Sequence, residues 1–217
     1  MKKGLTEIVF ILDKSGSMSG LEADTIGGYN SFLEKQKKVE GEAFVSTVLF
    51  SDRNEVVHDR VPIEKIEPMN EQQYSVGGCT ALLDAIGGAV HHIGNVHKYA
   101  RDEDRPEHTI FVITTDGEEN SSREYSYEKI KKMVKRQQEK YGWEFIFLGA
   151  NIDAIKTARS FGIDRDRSAN FVNDGDGIAR MVEAEICLVS DIRNHRAQRN
   201  RNWAKNLDED YRKRSNR

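Results

Sequence analysis

The sequence predicts an α/β sandwich of three layers, with helices on both faces of a mostly parallel sheet of about six strands and one antiparallel edge strand. Three observations predict it. Apolar runs rich in β-branched and aromatic residues alternate with segments of helical period along the chain, the order that builds a mostly parallel sheet between helix layers. The first strand candidate is continuously apolar, which suits a strand covered on both faces. One pair of strand candidates is joined by a few turn-like residues, too few for the crossover of a dozen or more that a parallel return needs.

Ile8-Val9-Phe10-Ile11-Leu12 is the first of these runs. Residues 21–39 follow, with Ile26, Tyr29, Phe32 and Leu33 on a helical period. Residues 43–50 and 56–61 read as strands around Ser51-Asp52-Arg53-Asn54, the antiparallel pair. Residues 81–97 read as a helix carrying Leu82, Leu83, Ile86, Val90 and Ile93. Gly87-Gly88 inside it costs about 1 kcal/mol per glycine against Ala, which is tolerable where the helix approaches the sheet closely. Thr109 to Thr114 is a second buried strand, residues 126–141 a Lys-rich amphipathic helix, and 144–148 a strand. Asp153 is placed to cap a helix running to Phe161. A short strand over 168–172 and a helix over 176–192 complete the sandwich.

The chain has 217 residues and a net charge of −3, too balanced to argue for nucleic acid as the main partner. The charge is unevenly spread. Residues 193–217 hold nine Lys/Arg against three Asp/Glu, and residues 1–192 hold 24 against 33. We therefore divide the chain into a globular domain, 1–192, and a basic C-terminal tail, 193–217. A solvated, frayed end is the plain expectation for such a tail. Trp203, Leu207 and Tyr211 nevertheless recur at the spacing of one helix face. Two cysteines, Cys79 and Cys187, exclude a disulfide scaffold and a CxxC zinc site. No apolar run approaches a membrane span, and Met-Lys-Lys-Gly leads into an acidic-apolar mix without the apolar core of a signal peptide. A reduced cytoplasm is the expected compartment.

In open α/β sheets ligands bind beyond the carboxyl ends of the strands. Asp13-Lys14-Ser15-Gly16-Ser17-Met18 follows the first strand, Thr115-Asp116-Gly117 follows the strand 109–114, and Val76-Gly77-Gly78-Cys79-Thr80 precedes the second helix. The expected winding brings Asp13, Ser15, Ser17, Thr80 and Asp116 to one edge. All five are oxygen donors, the set a hard cation takes, with Mg2+ favoured and Mn2+ or Ca2+ also suited. Alternate residues of an extended turn project the same way, so Asp13, Ser15 and Ser17 can face one ion. Taken alone, Asp-x-Ser-x-Ser reads equally well as a helix cap, and Thr-Asp-Gly as a turn. Glu118 and Glu119 read as a solvated loop, Cys79 as a small, partly buried neighbour of Thr80, and Lys131, Lys132, Lys135, Arg136 and Lys140 as a solubilising face. His91, His92 and His97 lack the three- or four-residue spacing that puts two ligands on one helix face.

The pattern Asp-x-Ser-x-Ser, a Thr, then Thr-Asp-Gly resembles the von Willebrand factor type A family, most of all its small, stand-alone bacterial members. The resemblance covers about residues 5 to 192. It implies a doubly wound, Rossmann-like sandwich. It also implies a metal-ion-dependent adhesion site at Asp13, Ser15, Ser17, Thr80 and Asp116. The hydroxyls would bind the ion directly and the aspartates partly through water, with one position left for a Glu or Asp carboxylate of a partner protein.

Three functions follow as expectations. The first is a metal-dependent protein-binding module, neither an enzyme nor a membrane protein. A metal-dependent phosphohydrolase is the second, weakened because Ser15 stands where an aspartyl-nucleophile enzyme has its second Asp as general acid. The third is an adapter acting through the basic tail on RNA or an acidic protein.

Overall fold

A computed structural model of the chain describes residues 1–215; the last two positions of the tail, Asn216 and Arg217, lie outside it. The elements run β1 (Lys2–Asp13), α1 (Glu22–Gln36), β2 (Glu42–Phe50), β3 (Asn54–Pro62), α2 (Leu82–Tyr99), β4 (Pro106–Thr115), α3 (Tyr127–Tyr141), β5 (Glu144–Gly149), α4 (Ala154–Ser160), β6 (Ser168–Asn170), α5 (Gly175–Arg193) and α6 (Lys205–Arg214). The sheet order is β3-β2-β1-β4-β5-β6. All neighbours are parallel except β2 and β3, which pair antiparallel at the edge. The expected sandwich therefore forms, with the short Ser51–Asn54 link setting the antiparallel edge.

Each sheet face carries its own core. Ile8, Phe10 and Leu12 pack with Ile110, Val112 and the inner sides of α1 and α5. Val9 and Ile11 pack on the opposite face with Phe111, Phe147 and residues of α2, α3 and α4. The two sets alternate along β1, as side chains on a strand must. A run with no polar residue therefore means that both faces are covered.

Local signals set the helix ends. Ser126 accepts the Lys129 N–H, Asp153 that of Lys156 at 3.0 Å, and Asp174 that of Gly177 at 2.8 Å, each satisfying an otherwise unpaired first-turn donor. Gly142, with φ +67°, closes α3 in the left-handed conformation.

Two expectations are corrected. Gly87 does not serve a close approach to the sheet. A Cβ there would lie 2.3–2.5 Å from ring atoms of Tyr125, so the glycine makes room for that ring, while Gly88 meets nothing within 4 Å. The C-terminal segment is not frayed as far as it is described. Ala204 and Leu207 are buried in the α1/α5 core, Trp203 donates its indole N–H to the Asp166 carbonyl at 2.8 Å, and Tyr211 is half-buried. The face foreseen from Trp203, Leu207 and Tyr211 is the one that packs. No helix among the described residues is long and apolar enough to cross a membrane.

Candidate metal centre

The winding reverses between β1 and β4, whose carboxyl ends lie side by side with Leu12 opposite Thr114. Asp13 ends β1 and Asp116 follows β4, so the sheet itself sets the two carboxylates beside each other at the switch point. Asp13 is fixed on every side. Its Oδ1 accepts the Ser15 N–H at 2.7 Å and its Oδ2 the Thr115 hydroxyl at 2.5 Å, while its carbonyl accepts the Tyr74 hydroxyl at 2.5 Å. Asp116 Oδ1 accepts the Ser17 hydroxyl at 2.5 Å, and Asp116 Oδ2 accepts the Asn173 side-chain N–H at 3.0 Å. The Ser15 and Ser17 hydroxyls are hydrogen-bonded at 3.1 Å. Thr80 reaches the same place: a Cβ on Gly117 would lie 3.4 Å from Ser17 Oγ and 3.5 Å from Thr80 Oγ1. The five oxygen donors named from the sequence therefore converge.

The loops are tied to one another by backbone bonds. Gly16 N–H donates to the Gly78 carbonyl at 3.1 Å, and Gly77 N–H to the Lys14 carbonyl at 2.8 Å. Gly78 holds φ +83°, a left-handed backbone that favours glycine, and a Cβ there would also displace the Asp52 carboxylate, 2.3 Å away. Thr80 is anchored reciprocally: its N–H donates to Asn120 Oδ1 at 2.9 Å, and Asn120 N–H donates back to the Thr80 carbonyl at 3.0 Å.

Glu119 is not a solvated rim residue. Its carboxylate accepts N–H bonds from Leu83, Ser121 and Ser122, joining the loop after β4 to the first turn of α2, where a negative charge is favoured. The helix-cap reading of Asp13-x-Ser15-x-Ser17 also fails, since Leu21 stands at the start of α1 and no side chain caps it.

Asp13 and Asp116 are 2% and 1% exposed. Burial holds the Asp13 carboxyl above its usual range and the Asp116 charge adds to this, against the lowering hydrogen bonds from Ser15 and Thr115. The groups bonded to the two carboxylates are hydroxyls, a backbone amide and a side-chain amide, all uncharged, so the negative charges reinforce each other. Asn173 Oδ1, on the amide that holds Asp116, is buried without a hydrogen-bond partner. Two carboxylates and three hydroxyls, with no nitrogen or sulfur, fit a hard divalent cation.

Other expected positions fall elsewhere. His92 pairs with Asp59 at 2.8 Å and His97 with the buried Glu7 at 3.4 Å. Cys79 and Cys187 are free and exposed, which corrects the partly buried placement expected for Cys79. Sequence reasoning missed Thr115, Asn120 and Asn173. Thr115 is the first residue of the Thr-Asp-Gly turn, whose sequence pattern marks Asp116 but not the bond Thr115 makes to Asp13. Asn173 comes from the loop between β6 and α5, and nothing in its neighbours marks it.

No protein-family model and no curated protein sequence matches the chain. Solved structures do. One is proximal thread matrix protein 1 from the mussel byssus, with a zinc-occupied MIDAS motif. It is 17% identical with a TM-score of 0.61, over 87% of this chain and 46% of that one. Another is a von Willebrand factor type A structure from Catenulispora acidiphila, 13% identical with a TM-score of 0.57, over 87% of this chain and 43% of that one. The chain spans less than half the length of either structure. At these identities the likeness is one of fold.

Proposed function

We propose that this chain, which has the von Willebrand factor type A fold, is a divalent-metal-dependent protein-binding module. The observation that carries the reading is the meeting of Asp13, Ser15, Ser17, Thr80 and Asp116 at the switch point of the sheet. Ser15, Ser17 and Thr80 would offer hydroxyl oxygens to the ion. Asp13 and Asp116 would act partly through water, because each of their four carboxylate oxygens already accepts a hydrogen bond. The ion would supply a Lewis-acidic centre for a Glu or Asp carboxylate of a partner protein, and Mg2+ is the ion the donor set favours over Mn2+ or Ca2+.

Binding rather than catalysis is the reading because the set lacks a nucleophile with its base. Ser15 lies two residues after Asp13, where an aspartyl-phosphate enzyme would need an acid. The adapter reading is weakened because four of the tail's nine basic residues are bonded within the fold. Arg193 binds Gln36 and Gly41, Arg199 binds Glu144, Arg201 binds Asp208, and Arg214 binds Asp174. Two free, exposed cysteines suit a reduced compartment such as the cytoplasm.

Calorimetry with Mg2+ on the wild type and Asp13→Ala tests the ion, and acetate serves as the minimal partner carboxylate. Acetate should shift the amide resonances of Ser15 and Thr80 in Mg2+ and leave them unmoved in EDTA. Equal Mg2+ affinity in the two proteins, or the same acetate response in EDTA, overturns the reading.

A further inference from the structure

At the other end of β4, two consecutive residues and one remote residue bring metal-type donors together. Glu107 and His108 lie near the start of the strand, and His195 follows the last turn of α5. One ligand atom from each lies within 4.8 Å of the other two. His195 Nε2 stands 3.7 Å from Glu107 Oε1, and the two imidazole rings are 4.6 Å apart and tilted by 57°.

The surroundings fix the carboxylate and leave one imidazole nitrogen without a partner. Glu107 Oε2 accepts the Gly4 N–H at 2.7 Å, which fixes the carboxylate while its Oε1 faces His195. His108 Nε2 is buried and has no hydrogen-bond partner, a costly state for a ring nitrogen. His195 adopts φ +56°, unusual for a residue with a side chain. On the β5 side the pairing of β4 begins only at Ile110, so that side of His108 is not covered by a strand.

We propose that Glu107, His108 and His195 form a transition-metal site, for an ion of the Zn2+ class, separate from the oxygen-donor cluster. Two imidazoles and one carboxylate are a donor set that zinc accepts, with a fourth position left for water or an external ligand. Nitrogen donors favour Zn2+, Co2+ or Ni2+ over Mg2+. A tetrahedral ion with bonds of about 2.0–2.1 Å sets its ligand atoms roughly 3.4 Å apart. The present spacing needs only a modest contraction, and the His195 side chain, 61% exposed, is free to supply it. The ion would fasten the end of α5 to the start of β4. Asp116 lies eight positions after His108 along β4 and its end, about 26 Å at the usual rise, so the two sites can be read separately.

The test uses the full-length chain, Zn2+ and Co2+ as probes, and a large excess of Mg2+ to occupy the other edge. Zn2+ should move the imidazole nitrogen resonances of His108 and His195 and leave the other four histidines unchanged. Co2+ should give the visible absorption of a tetrahedral nitrogen-ligated ion. His195→Asn, which suits the left-handed backbone, and Glu107→Gln should each weaken Zn2+ binding roughly tenfold or more. Asp13→Ala should leave it unchanged. Unmoved His108 and His195 resonances, an equal shift of all six histidines, or unaltered Zn2+ affinity in both variants would each overturn the proposal.

Discussion

Asn173 donates its side-chain amide to Asp116 Oδ2 at 3.0 Å, joining the loop after β6 to the carboxylate at the end of β4. Asp116 is thereby held from both sides, by Ser17 on Oδ1 and by Asn173 on Oδ2. Groups that orient a ligand tune metal affinity without touching the ion. Asn173→Ala should lower Mg2+ affinity by roughly tenfold while the far-ultraviolet circular dichroism stays that of the wild type. Calorimetry makes the measurement, and an unchanged affinity would show that Asp116 needs no such support.

Thr80 and Asp13 should separate ion binding from carboxylate binding. Thr80→Ala removes one hydroxyl and keeps four donors, so Mg2+ affinity should fall only in part while the Mg2+-dependent response to acetate is lost. Asp13→Ala should lose both. The Asn120 clamp on the Thr80 backbone does not involve the hydroxyl, so the loop should keep its shape in Thr80→Ala. Amide chemical shifts of residues 117–122 check that the clamp persists.

Glu185 lies inside α5, 4% exposed, and accepts the Thr114 hydroxyl at 3.3 Å. Burial raises its pKa from 4.5 to about 8, against the lowering effect of Thr114. The folded protein thus keeps a proton that the unfolded chain releases above pH 4.5. This group's contribution to stability is complete below about pH 4.5 and is lost as pH rises towards 8. Glu185→Gln abolishes the titration. It should be more stable than the wild type at pH 8 by on the order of a few kcal/mol, with the gap narrowing towards pH 5. Urea midpoints across that range give the comparison, and a gap independent of pH would contradict it.

Leu207 is 1% exposed in the core beside α5, although it belongs to the basic segment. Leu207→Ala should cost about 2–4 kcal/mol of stability, as a surface tail residue would not. Chemical denaturation of the two proteins decides this, and a change below about 0.5 kcal/mol would mark the segment as peripheral.

The sequence by itself determined the layered α/β class and which oxygen donors lie in the loops beyond β1 and β4. A continuous apolar run such as Ile8 to Leu12 can be satisfied only by burial on both faces. A link as short as Ser51–Asn54 can return a chain only antiparallel. The oxygen donors were legible because Asp13, Ser15 and Ser17 are close in sequence and the other two flank strand or helix ends, where such sheets place ligands. Tertiary structure alone decided the rest. Asn173 reaches Asp116 across 57 positions, Gly87 is glycine because the ring of Tyr125 lies against it, and His195 meets His108 because α5 ends over the start of β4. The physical reason is the same in each case. A spacing pattern reports which way one segment faces, whereas these contacts depend on where two segments of different period come to rest against each other.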